Sequence, residues 1–198
     1  MYPDSIKNLI ECFKYLPGIG EKTAERMAFS ILDFDEDQVN TFTESMKDVN
    51  TKVHYCKICN GLTEKDICDI CSNDERNNGV LCVIDDYKTI FVFENMGIFN
   101  GKYHVLDGLI SPIDGINPED IGLGKLIDRI KNEKFNEIIF AFKPSIEGET
   151  TSLYIKRVLD GMNIKVTRIA SGVPMGADME YIDTLTLERA LSDRKEVE

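Results

Sequence analysis

Four cysteines carry the most specific chemistry in this sequence. Cys56-Lys57-Ile58-Cys59 is followed, after eight residues, by Cys68-Asp69-Ile70-Cys71. Two CxxC pairs this close supply four thiolates, enough to complete a tetrahedral zinc site, one ion per chain, with no open position. A closed site is structural, because metal binding becomes folding energy for a segment too small to build its own core. Four thiolates also suit iron, and the sequence does not separate the two metals. Asn60-Gly61, after the first pair, offers the positive-φ turn that lets backbone amides face the sulfurs. Of the six cysteines, Cys12 and Cys82 stand apart, one in a helical pattern and one in a strand, and both read as buried small hydrophobes. His54 is near enough to the cluster to replace a ligand, but with four cysteines at hand it reads as a solvated or packed histidine. His104 is likewise isolated.

A second constellation is Leu16-Pro17-Gly18-Ile19-Gly20, set between two helical patterns. Gly18 and Gly20 bracket one apolar residue and allow a tight hairpin whose backbone can approach another molecule, since no Cβ stands in the way. The amides of that turn and of the next helix then face outward as a phosphate site, with Thr23 in the first helical turn. Lys22 and Arg26, four residues apart, share a face beside it. The arrangement resembles the helix-hairpin-helix element of DNA repair proteins, which grips the sugar-phosphate backbone without reading sequence. An ordinary helix connection is the plainer alternative, since Pro-Gly is common punctuation. Gly-Ile-Gly-Glu-Lys-Thr is not a nucleotide-binding P-loop, because a helix precedes it and Glu21 separates Gly20 from Lys22.

A third group falls after two strand patterns: Asp85 and Asp86 after one, and Lys143-Pro144-Ser145-Ile146-Glu147-Gly148-Glu149 after another. It looks like the Toprim domain of topoisomerases and bacterial primases, where one acid after the first strand and two more spaced D-x-D bind magnesium. Glu147-Gly148-Glu149 matches the Glu-Gly-Glu that often follows. The two aspartate positions, however, hold Lys143 and Ser145, and a hard divalent ion needs carboxylates where that lysine puts positive charge. The remaining acids could form a weak metal site, an acidic docking patch, or ordinary solvated loops.

The elements that position these residues follow from periodicity. Ile6, Leu9, Ile10, Phe13 and Leu16 recur at helical spacing up to Pro17, and a second helix from Lys22 carries Ala24, Met27, Ala28 and Ile31. A third starts near the acids Asp35, Glu36 and Asp37, with Val39, Phe42, Met46, Val49 and Val53 in steps of three and four. That stripe fits either an intramolecular core or a dimer interface. After the polar linker Asn73 to Gly79, strands at Val80 to Asp85, Lys102 to Leu106, Glu137 to Phe142 and Lys165 to Ala170 alternate with helices. Those helices run Tyr87 to Asn95, Pro118 to Lys131 and Glu149 to Gly161, a pattern that predicts a parallel sheet with chemistry at the strands' carboxyl ends. A short amphipathic piece, Thr184 to Leu191, ends a tail that begins at Ser171.

Composition narrows the function classes. At 198 residues, 42% hydrophobic and 29% charged, the chain is expected to be soluble and globular, and no apolar run reaches the roughly 20 residues of a bilayer span. The N-terminus lacks the basic region and apolar stretch of a secretory signal, so a cytoplasmic, nucleoid-associated location is expected. Its net charge of −12 argues against coating nucleic acid by bulk electrostatics. DNA contact must then be local, or depend on encirclement.

Taken in this order, the three constellations and the tail resemble the RecR family along essentially the whole chain. The matches are Leu16-Pro17-Gly18-Ile19-Gly20, the four cysteines, Gly108 through Ser111-Pro112 to Asp114-Gly115-Ile116, Glu147-Gly148-Glu149, and Gly172-Val173-Pro174 through Glu180-Tyr181 to Asp183. The resemblance implies an α+β chain of several parts. These are a helix-hairpin-helix DNA-binding domain at 1–54, a four-cysteine zinc finger at 55–72, a Toprim-like α/β domain at 79–170, and a C-terminal segment at 171–198 in oligomer contacts. It implies an oligomeric clamp, dimer or tetrameric ring, on single-stranded, gapped or duplex DNA. It also implies work with RecO, and with RecF where present, to help RecA replace single-strand-binding protein. Lys22 and Arg26 match the family's DNA-contacting positions, Glu147 matches an acidic position of the Toprim face used toward RecO, and Asp85 is taken as a second candidate partner-binding acid. The sequence departs from the family at Asp85-Asp86 (usually glutamate then serine), at Lys143 (usually asparagine) and at Ser171 (usually histidine). A magnesium-dependent Toprim nuclease or primase-like enzyme is the alternative from another class, and a zinc protein that binds only proteins is a third.

Overall fold

The computed structural model describes residues 2–170, 172–194 and 196. Ser171, one of the departures from the family pattern, lies outside the described residues. The chain divides into two compact units, Met1–Val53 and His54–Glu198.

In the first unit, α1 (Asp4–Lys14) and α2 (Glu21–Ser30) form an antiparallel pair closed on Ile6, Ile10, Ala24 and Ala28, with Leu9, Phe13 and Ile19 against them. The two alanines let the helix backbones come close. Lys14 pins the pair at the hairpin, bonding Glu11 at 2.9 Å and Glu21 at 2.7 Å. Cys12, expected to be buried, is exposed; two residues beyond Ile10, it points to the opposite side of α1. α3 (Glu36–Lys52) begins at Asp35, where a capping box forms: the Asp35 carboxylate accepts from the Gln38 amide, and the Gln38 side chain accepts from the Asp35 amide. Its apolar stripe is not a core of this chain, for Met46 is 57% and Val49 65% exposed.

The second unit opens with the two-stranded antiparallel hairpin of β1 (His54–Tyr55) and β2 (Leu62–Thr63), followed by the single turn α4 (Asp69–Ser72). Then come β3 (Val80–Ile84), α5 (Lys88–Met96), β4 (Lys102–Val105), α6 (Leu123–Asn132), β5 (Glu137–Phe140), α7 (Ile146–Val158), β6 (Lys165–Arg168) and α8 (Thr184–Ser192). The strands make one parallel sheet in the order β4-β3-β5-β6. Because side chains alternate along a strand, Leu81 and Val83 enter a core with α6 and α7, while Cys82 and Ile84 enter another with Ile90 of α5. Cys82 is buried as expected. All four predicted strands are present, each shorter at its carboxyl end.

Two helix starts differ from expectation by three residues or more. The Pro118–Gly122 stretch is a turn, and α6 begins only at Leu123, after Gly122 takes φ +69°. α7 begins three residues before Glu149, since Ser145 caps it by accepting from the Gly148 amide at 3.2 Å. Among the described residues no helix is long and apolar enough to cross a membrane.

Candidate metal centre and nucleic-acid interface

Cys56, Cys59, Cys68 and Cys71 are all buried, and their sulfurs lie within 4.8 Å of one another. Four thiolates about 2.3 Å from one zinc ion sit about 3.8 Å apart; Cys59 and Cys68 Sγ are 3.6 Å apart. The local backbone is shaped for this. Asn60 takes φ +62°, and the Gly61 amide then reaches Cys59 Sγ at 3.4 Å. The Cys68 amide donates to Cys56 Sγ at 3.3 Å and the Cys71 amide to Cys68 Sγ at 3.4 Å. A Cβ at Gly61 would meet Ile90 Cδ1 at 2.8 Å, so glycine lets the loop lie on α5. The Cys68 thiol is drawn well down, first by its hydrogen bond with Cys59 and then by that with Cys71, while the same sharing pushes Cys59 up. This donor set fits one metal ion held by sulfur alone, which staples the loop between β1 and α4. His54 is exposed and outside the cluster.

The metal loop also serves the sheet. The Cys59 carbonyl accepts the Val105 amide of β4 at 2.8 Å, and Asn60 Nδ2 donates to the Val105 carbonyl at 3.3 Å and to Asp107 at 2.7 Å. The linker behind it is anchored by Arg76, which pairs with Glu94 and donates to the carbonyls of Phe99 and Gly101, both at 3.3 Å. The Tyr103 hydroxyl donates to Glu94 at 2.7 Å. None of these links is legible in the sequence, where Asn60 reads as a turn residue only and Arg76 as part of a polar linker.

In the first unit the hairpin has the geometry expected of it. Gly18 takes φ +81°, and no atom lies within 4 Å of a Cβ built at Gly18 or at Gly20. Gly20 starts α2 with no side-chain cap, which leaves the leading amides open. Thr23 is exposed in that first turn, its own amide turned back to the Gly20 carbonyl at 3.1 Å. Lys22 and Arg26 are exposed opposite the buried Ala24 and Ala28, and take part in none of the ion pairs among the described residues.

At the carboxyl ends of β3 and β5 the acids are dispersed. Asp86 opens α5 by accepting from the Lys88 amide at 2.9 Å, and Asp85 accepts from the Lys143 amide at 3.3 Å. Glu149 pairs with Arg168 at 2.6 Å. Glu147 is half-buried, its carboxyl held low first by Ser145, then by its own amide, with Lys143 adding a smaller pull. Among the described residues, the cysteines are the one group of three or more potential ligands whose atoms converge. Gly148 is forced by crowding, since a Cβ there would sit 2.3 Å from the Lys143 carbonyl oxygen.

Comparison with known proteins finds matches to four stretches of the chain. Residues 6–49 match the family described as RecR, helix-hairpin-helix, and residues 53–73 match the RecR zinc finger domain, the four-cysteine type. Residues 79–170 match the Toprim domain, and 172–195 match RecR, C-terminal. The chain is 46% identical over 196 residues, 99% of each chain, to Recombination protein RecR of Staphylococcus aureus (strain Newman). It is 47% identical over the same span to Recombination protein RecR of Staphylococcus haemolyticus (strain JCSC1435). With a helix-hairpin-helix, a four-cysteine zinc finger and a Toprim domain in that order along its full length, this chain belongs to the RecR family of recombination proteins.

Proposed function

We propose that this chain is an oligomeric DNA-holding scaffold for recombinational repair and not a catalyst. Its hairpin holds the backbone of single-stranded, gapped or duplex DNA through the amides around Gly18 and Gly20, the Thr23 hydroxyl, and the side chains of Lys22 and Arg26. The observation that carries this reading is the open hairpin itself: unobstructed glycines, an uncapped helix start, and two exposed cations on the face away from the core. Each feature suits a phosphate, and none is needed to pack α1 on α2.

In this reading the parts work as a DNA-binding domain at 1–54, a zinc finger at 55–72, a Toprim-like domain at 79–170 and an oligomer-forming segment at 171–198. Glu147 and Asp85 present an acidic face toward RecO, and RecF joins where present, so that RecA is loaded onto DNA in the cytoplasm, at the nucleoid. A dimer or tetrameric ring supports retention on DNA despite the charge of −12, because topology replaces charge density. Against a magnesium-dependent nuclease stand Lys143 and Ser145, which occupy the positions where metal-binding aspartates would be needed.

The test is a binding titration on single-stranded and gapped DNA at several salt concentrations. Lys22→Ala with Arg26→Ala should weaken binding about equally for all sequences, and each lost contact should flatten the single-strand salt dependence by roughly 0.7 per chain engaged. Unchanged affinity and slope in a double variant with native circular dichroism and mass would place DNA contact elsewhere.

A further inference from the structure

The outer edge of β4 is covered by two neighbours, and one residue joins both to the metal centre. Along a parallel strand, alternate residues turn their amide and carbonyl to opposite sides. Leu106, just past the end of β4, gives its amide inward to the Ile84 carbonyl at 2.8 Å, so Tyr103 and Val105 face outward. The metal loop takes Val105, through Cys59 and Asn60. The Tyr103 carbonyl is taken by Arg129 of α6, whose Nη1 donates to it at 2.6 Å. The same guanidinium donates through Nε to Glu133 at 2.8 Å, and its Nη2 lies 3.9 Å from Cys71 Sγ. Arg129 is only 7% exposed.

Four thiolates around a divalent ion carry a net charge of −2, which is costly away from water unless a cation stands near. Donors to metal-bound ligands also fix their orientation, and their loss commonly lowers metal affinity by about 10- to 100-fold. An ammonium cannot replace this side chain, because three partners in three directions call for the flat fork of a guanidinium. We propose that Arg129 is a positioning residue of the metal centre. It donates to the Cys71 sulfur, offsets the charge of the thiolates, and ties the loaded cluster to the edge of the sheet. This rests on the cluster holding zinc, so the metal content of the full-length protein is measured first.

The experiment compares the full-length protein with Arg129→Lys, Arg129→Met and Glu133→Gln. Zinc transfer to a chromophoric chelator is timed for each. The sulfur-to-metal charge-transfer band is recorded after loading with cobalt(II) alone. Loss of a hydrogen bond to a thiolate raises the energy of its lone pair, so both Arg129 variants should show that band at longer wavelength. Zinc should leave about 10- to 100-fold faster from Arg129→Met, and faster than wild type from Arg129→Lys. Glu133→Gln removes the negative charge of Arg129's carboxylate partner while leaving the sulfur contact, and should keep the wild-type band. An unmoved band in the Arg129 variants overturns the proposal even if zinc leaves faster, since faster loss alone would follow from a weakened sheet. Should Arg129→Met fail to fold, the band of Arg129→Lys decides alone. A wild-type protein purified without chelator and free of zinc overturns both the zinc assignment and this role, whereas zinc-bearing wild type with an unmoved band overturns only the latter.

Discussion

At the scale of single residues, two groups are constrained by features that sequence spacing does not reveal. Gly148→Ala should destabilise the protein by about 1–3 kcal/mol in denaturant unfolding, because the new methyl group must displace the Lys143 carbonyl. Gly124→Ala makes the opposite prediction: it lies in α6 with nothing within 4 Å of a built Cβ, so the change should stabilise by a few tenths to about 1 kcal/mol. His104 is 3% exposed, and among the described residues its Nδ1 has no hydrogen-bond partner. Burial first, then Arg129 and Lys125, lowers its ionisation from 6.5 to about 3. The unfolded chain therefore binds the proton that the folded chain refuses. Stability is complete above about pH 6.5 and falls as pH drops toward about 3, at up to about 1.4 kcal/mol per pH unit. His104→Gln should flatten that slope in urea titrations at stepped pH; an identical slope would assign acid sensitivity to other groups. The cysteine ligands are legible because their spacing alone encodes the chemistry. His104 and Arg129 are not, since a lone histidine and an Arg–Glu pair four apart read equally well as ordinary surface chemistry.

At the scale of elements, period and punctuation locate nearly every helix and strand of the sheet domain, because each strand is flanked by turn residues and its core side chains are nearly continuous. Ends differ where capping overrides periodicity, as at Ser145 and Gly122. The β1–β2 hairpin of the metal loop is invisible in the sequence, being two residues per strand and held by the cluster more than by its own side chains. The stripe on α3 is legible as apolar, but periodicity cannot say which molecule covers it. Met46 and Val49 are exposed, and a second copy of the chain is the occupant consistent with the oligomeric reading above. Met46→Glu with Val49→Glu should therefore lower the mass measured by sedimentation while leaving helix content unchanged, since both sites are on the solvent side of a capped helix. A full-size assembly in that variant would exclude α3 from the interface.

At the scale of the whole molecule, the metal loop and the sheet belong to one compact unit, His54–Glu198, joined through the bonds of Cys59 and Asn60 to Val105. Chelation should accordingly lower the unfolding temperature of the sheet and not only that of the loop. Calorimetry with and without chelator checks this, and a sheet transition that does not move would make the two independent. The covered edge of β4 carries a further consequence. Strip the loop away and the amide and carbonyl of Val105 are released, leaving that end of the border strand open for another chain to pair on. Metal starvation would then act less as a loss of DNA grip than as a hazard of self-templated clumping. Turbidity after chelation should rise after a lag and more steeply than in proportion to protein concentration, while added zinc before the lag ends should prevent it.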